Sequence, residues 1–124
     1  MAKKAIKAKK GSMEHYMTKD MYHMIMKLVI LGEIKKKKVY SYELINHVAI
    51  HVPKYRSSKN DVKNDVYNTL AMLEKLGYVS QKKTFYRDRV RNFYTLTKKG
   101  AMALAESKKI MSKAMADVTK QLRG

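Results

Sequence analysis

A mainly α fold with one small β-hairpin is predicted by three segments taken in order. SYELI at Ser41–Ile45 reads as a short helix. VYNTLAMLEKLGYV at Val66–Val79 reads as a second helix stopped by glycine, and FYTLTKKG at Phe93–Gly100 as the end of a hairpin running into a last helix. That order is a winged helix-turn-helix followed by a long C-terminal helix expected to dimerise. The chain has 124 residues, enough for one domain with a real core. The expected division is a flexible basic arm over 1–12, the winged helix-turn-helix over 13–97, and the dimerisation helix over 98–124.

The arm carries five lysines and little that packs. A helix is predicted over Met13–Ile34, where Met17, Met21, Met24, Ile25, Leu28 and Leu31 or Ile34 recur at threes and fours. Thr18 or Asp20 is expected to cap an end or break the run. Lys35–Lys38 reads as a solvated loop and Val39-Tyr40 as a short strand. Ser41 is the expected N-cap of a helix from Tyr42 to about His51, with Leu44, Ile45, Val48 and Val52 on one face. Pro53 stops it, because proline cannot continue a helix.

After a polar connection, Ser58 or Asn60 is expected to cap the next helix, which runs to Leu76 with Gly77 as its stop. Val62, Val66, Thr69, Leu70, Leu73 and Leu76 form one stripe toward the core. Asn60, Asn64, Tyr67, Asn68, Ala71 and Lys75 face the other way, with Lys63 at the edge. Tyr78–Tyr86 and Arg89–Thr95 are rich in β-formers and flank Arg87-Asp88 as a tight turn. The register then pairs Phe85 with Val90 and Val79 with Leu96. One long helix follows from Lys98 to about Leu122. Its residues Leu104, Met111 and Val118 lie seven apart, with Ala114, Met115 and Leu122 between them.

There are 28 basic against 10 acidic residues, a formal charge of +18. Such a balance implies a polyanionic partner. Lysine, suited to phosphate as a point charge, far outnumbers arginine, so most of this charge implies backbone affinity. No cysteine is present, which excludes disulfides and thiolate metal sites. The most apolar stretch, Met21–Ile34, is too short to span a bilayer and contains His23, Lys27 and Glu33, so no membrane partner is expected. The expectation is a cytoplasmic protein associated with the nucleoid.

The three segments resemble the PadR family of winged-helix transcription regulators. The family's Gly-Tyr-Glu-Leu run appears as Ser41-Tyr42-Glu43-Leu44. Its recognition-helix pattern appears as Val66-Tyr67-Asn68-Thr69-Leu70, Leu73-Glu74 and Gly77-Tyr78-Val79. The end of its wing appears as Phe93-Tyr94-Thr95-Leu96-Thr97-Lys98-Lys99-Gly100. The likeness covers roughly residues 25–105. Ser41 stands where the family has glycine, and Asn68 where it has proline. The resemblance implies a homodimer that uses its first and last helices as the interface and binds double-stranded DNA to regulate transcription, with a repressor expected. An architectural chromatin protein of archaeal type, with little sequence preference, is the alternative.

On this reading Asn60, Lys63, Asn64 and Asn68 would enter the major groove, while Tyr67, a DNA-binding candidate at the edge of that face, would either reach a phosphate through its hydroxyl or pack beneath the wing. Asparagine can bond both edge atoms of adenine, which favours A·T-rich half-sites. The helix has no net charge, so the wing is expected to supply phosphate contacts through Lys82, Lys83, Arg87, Arg89 and Arg91. An arginine at its tip would reach the minor groove. SYELI is expected to support the recognition helix from behind. Met21, Met24, Leu28, Leu104, Met111, Met115, Val118 and Leu122 are the expected dimer interface. A hollow between the first and last helices, lined by Met21, Met24, Met26, Met102, Met111 and Met115, is the other use of those methionines, and a small-molecule effector stays open. His47 and His51, with Glu43 one turn before, have a spacing that can hold a metal, but nothing completes the set, so no metal and no cofactor is expected. No nucleophile–base set, phosphate loop or dinucleotide fingerprint occurs, and no enzyme is expected.

Overall fold

The computed structural model describes residues 10–123, the side chain of Tyr86 excepted; residues 1–9 of the expected arm and residue 124 lie outside the described residues. The chain forms α1 (Met13–Lys36), β1 (Val39–Tyr40), α2 (Ser41–His51), α3 (Lys59–Lys75), β2 (Val79–Tyr86), β3 (Arg89–Leu96) and α4 (Lys98–Leu122). The strands make one antiparallel sheet in the order β1-β3-β2. This is a winged helix-turn-helix with an added C-terminal helix.

Helix α1 begins where the Ser12 hydroxyl accepts from the His15 backbone N–H at 3.2 Å, a cap worth about 1 kcal/mol. Thr18 neither caps nor breaks the helix: its hydroxyl donates to the Glu14 carbonyl one turn back at 2.7 Å. The buried stripe is Tyr22, Met26, Ile30 and Ile34. Met17, Met21 and Met24 lie on an exposed side instead. The helix is apolar on more than one face, so periodicity alone does not choose the inward one. Lys35 and Lys36, expected in a loop, complete the last turn of α1, where cations suit the partial negative charge of a helix end.

Helix α2 starts one residue earlier than expected. Ser41 is its first residue rather than its cap, and the Tyr40 backbone N–H donates to the Glu43 carboxylate at 3.2 Å. Leu44, Ile45 and Val48 are buried, and Val52 just beyond the helix joins them. Ser58, not Asn60, caps α3 by accepting from the Asn60 N–H at 3.1 Å. Val62, Val66, Leu70 and Leu73 enter the core, while Thr69 is half-buried and Leu76 exposed. Leu76 leaves the stripe because α3 ends there. Gly77, at φ +82°, turns the chain through a left-handed conformation. That turn lets the Tyr78 N–H reach the Leu73 carbonyl at 2.9 Å.

The hairpin has the expected register, Val79 opposite Leu96 and Phe85 opposite Val90. Arg87 and Asp88 form its two-residue turn at φ 50° and 62°, the backbone twist a tight hairpin requires. The core sits where α1, α2 and α3 meet the sheet, sealed by Val39, Val79, Tyr94 and Leu104.

The start of α4 is fastened at one point. Thr97 accepts from the Gly100 N–H at 3.0 Å and donates to the Gly77 carbonyl at 2.6 Å. Lys99 reaches the Leu76 carbonyl at 2.8 Å. A Cβ at Gly100 would overlap the Tyr78 carbonyl oxygen, so only glycine fits. The Leu-Thr-x-x-Gly pattern is thus a cap followed by a close approach. Beyond Leu104, α4 buries no further residue.

Candidate nucleic-acid interface

Helix α3 presents Asn60, Lys63, Asn64 and Asn68 to solvent, with Tyr67 beside them. These side chains share one face because they fall opposite the buried valines and leucines of the same helix. The acidic residue Asp65 points away from that face, toward the connection before α3. There its carboxylate accepts from Arg56 Nε at 2.9 Å and from the Tyr22 hydroxyl at 2.8 Å. A second guanidinium nitrogen lies 3.3 Å from its other oxygen, so the pair is bidentate. The Asp65 hydrogen bond raises the Arg56 pKa. Burial, then the Asp65 carboxylate, pushes the Tyr22 phenol up. A net charge of zero for α3 therefore understates how cationic its outer face is.

On the wing, Lys82, Lys83, Arg87 and Arg89 are exposed and Arg91 is half-buried. Between the wing and α3 lies a cleft of about 670 Å³, lined by Tyr40, Ser41, Tyr42, Tyr67 and the β3 run Arg89, Val90, Arg91 and Asn92. The Arg91 guanidinium lies 5.3 Å from the Tyr42 ring centre, within cation–π range. Tyr40 and Tyr42 stack at 6.0 Å, nearly parallel. Two arginines, three tyrosine hydroxyls, a serine and an asparagine line the cleft, which makes it suited to a phosphate with an attached sugar.

Sequence reasoning does not place Tyr40, Ser41, Tyr42 and Asn92 in such a cleft; it puts SYELI behind α3. Leu44 and Ile45 are indeed buried there, but Ser41 and Tyr42 open toward the wing. The available signal is a pair of tyrosines around the first turn of a short helix, too polar and too large to belong wholly to a core.

The side chains at the histidine spacing on α2 have partners within the chain. His47 Nε2 lies 2.9 Å from the Glu33 carboxylate on α1, and Glu43 turns to the Tyr40 N–H and to Lys37. Among the described residues no group of three potential ligands stands together. Burial would raise the Glu33 pKa, but the Lys36 hydrogen bond and the charges of His47, Lys36 and Lys37 outweigh it and hold it low. Burial also lowers the His47 pKa, helped by His51 and Lys36 against the pull of Glu33.

The residues expected at a dimer interface separate into two sets. Leu104 is 2% exposed and belongs to the chain's own core, so it offers no surface for an interface. Met21, Met24, Met115, Val118 and Leu122 are exposed, and Leu28 and Met111 half-buried. A hollow of about 560 Å³ does lie between the first and last helices, with Met24, Met111 and Met115 in its wall. Met26 is instead buried in the core, and Met21 and Met102 do not line the hollow. Met72 and Leu76 at the end of α3 complete it, which periodicity within single helices does not reveal. Among the described residues no helix is long and apolar enough to cross a membrane.

A family model described as the transcriptional regulator PadR-like family matches residues 30–106, more than half of the chain. Solved structures share the fold. The PadR family transcriptional regulator from Eggerthella lenta DSM 2243 is 20% identical with a TM-score of 0.70, over 86% of this chain and 89% of that one. The PadR-like transcriptional regulator from Bacillus cereus strain ATCC 14579 is 23% identical with a TM-score of 0.67, over 88% and 98%. The PadR family transcription regulator from Clostridium difficile R20291 is 22% identical with a TM-score of 0.63, over 80% and 98%. No curated protein matches the chain.

Proposed function

The chain belongs to the PadR-like family of transcriptional regulators, and from that premise we propose that it is a homodimeric repressor that reads DNA with α3 and holds it with the wing. Residues 13–97 form the DNA-binding unit and residues 98–124 the dimerising one. Asn60, Lys63, Asn64, Tyr67 and Asn68 face the major groove. Lys82, Lys83, Arg87, Arg89 and Arg91 neutralise phosphates, and the cleft between takes the sugar–phosphate strand that separates the two grooves. What supports this reading is the continuity of one exposed surface: the asparagine face of α3, the tyrosine–arginine cleft and the basic hairpin adjoin each other. Two protomers would read half-sites about one helical turn apart, and occupation of a promoter would block access to it.

The excess of lysine over arginine favours the architectural alternative, in which backbone attraction dominates. Selection of bound duplexes from a random library separates the two. A repressor should enrich a two-fold motif and bind it on the order of 10³ times more tightly than random sequence at physiological salt. A ratio near one, with strong binding to every duplex, would favour the architectural role.

A further inference from the structure

The hairpin face that enters the core at its base turns polar midway and ends at the tip in an apolar pair. Side chains two apart along a strand share a face. From base to tip, the cross-strand pairs on that face are Val79 with Leu96, Gln81 with Tyr94, Lys83 with Asn92 and Phe85 with Val90. Val79 and Tyr94 are buried, whereas Phe85 is 73% exposed and Val90 56% exposed. The last pair lies beyond the core and contributes nothing to it. Polar residues there would leave the fold unchanged. Lys83 shares that face, and the exposed Lys82, Arg87 and Arg89 lie close by along the same two strands and their turn, a setting that favours a polyanion over an apolar protein face.

Val90 also lines the cleft that Tyr67 of α3 closes from the other side. A sugar–phosphate strand in that cleft would have the major groove on the α3 side. The groove on the wing side of the same strand is the minor groove. We propose that Phe85 and Val90 form an apolar wedge that enters the minor groove, opens a base step and bends the duplex. This rests on the DNA-binding reading given above. The chemistry is general: apolar side chains inserted at a base step partly unstack it and kink the DNA toward the major groove, while flanking cations hold the backbone. An aromatic ring can stack on the exposed base, whichever base it is. Flexible pyrimidine–purine steps, above all TA, are the expected sites because they unstack most easily.

The test uses the full chain and short A·T-rich duplexes carrying 2-aminopurine at successive positions, with a fluorophore pair at the ends in a parallel set. Wild-type protein should raise 2-aminopurine emission at one or two steps and shorten the end-to-end distance. Phe85→Ala should lose both signals and bind about tenfold more weakly, with an unchanged salt slope because every phosphate keeps its cation. Phe85→Trp should keep both signals. Circular dichroism should match wild type for both variants, since Phe85 lies outside the core. A Phe85→Ala protein that bends and unstacks DNA like wild type overturns the wedge. So does a wild-type protein that binds duplexes tightly without changing either signal, and DNA binding itself then stands. A wild-type protein that binds no duplex overturns the DNA-binding reading and the wedge with it.

Discussion

Asp65 ties three parts of the chain together: its own helix, Tyr22 on α1 and Arg56 in the connection before α3. Its side chain is 14% exposed, so removing it strands a guanidinium and a phenol that were matched to it. Asp65→Ala should cost about 2 kcal/mol, the loss expected for charge-assisted hydrogen bonds, seen as a lower urea midpoint. Asp117→Ala breaks a pair exposed on both sides and should leave the midpoint within error. The burial of His47 and the cations around Glu33 predict a pH dependence. His47 has a folded pKa below its unfolded value, so its contribution is present above about pH 6.5 and is lost as pH falls through the folded value. Glu33 is also depressed, so its contribution is present above its unfolded pKa and is lost as pH falls further. Both act in one direction, and the urea midpoint should decline as pH is lowered from neutral. His47→Gln should flatten the upper part of that decline; an equal decline in the variant would remove His47 as its source.

The wing is the element whose job is most separable. Arg87→Ala with Arg89→Ala should weaken binding to all sequences alike. The slope of log affinity against log salt should flatten by about 0.9 for each phosphate that is no longer neutralised, measured by fluorescence anisotropy over a salt series. An unchanged slope would mean that these arginines touch no phosphate. The hairpin is also the most legible element in the sequence, because a two-residue turn leaves one register and alternation then assigns every residue to a face. Helix α3 is nearly as clear: a polar face opposite four buried aliphatic residues allows one orientation. Helix α1 is not, since Tyr22, Met26 and Ile30 compete with a methionine stripe of equal spacing on another side. The cleft is illegible for a different reason. Tyr42, Tyr67 and Arg91 come from three segments, and only the pairing of β1 with β3 brings the first beside the last.

At the scale of the whole molecule, the first and last helices each leave an apolar surface uncovered among the described residues. One is the methionine side of α1; the other runs along α4 through Ile110, Met115, Val118 and Leu122. On the homodimer proposed above, a second copy would bury both, and light scattering at micromolar concentration should give twice the mass of the chain. Met115→Glu with Val118→Glu should give a monomer with unchanged circular dichroism, because neither side chain contributes to the protomer core. Its affinity for a two-half-site duplex should fall toward that for a single half-site. The fastening at Gly77, Thr97, Lys99 and Gly100 has a mechanical consequence. The end of α3, Tyr78 just before the wing and the first turn of α4 are joined with no slack between them. Helix α4 is therefore a lever about 37 Å long, at 1.5 Å per residue, hydrogen-bonded to the end of α3 at its base and packed beside α1 beyond it. A tilt of a few degrees at the fulcrum swings its far end by several ångströms. Conversely, on the proposed DNA-binding reading, whatever grips the far end of α4 would set the angle at which α3 and the wing meet the double helix.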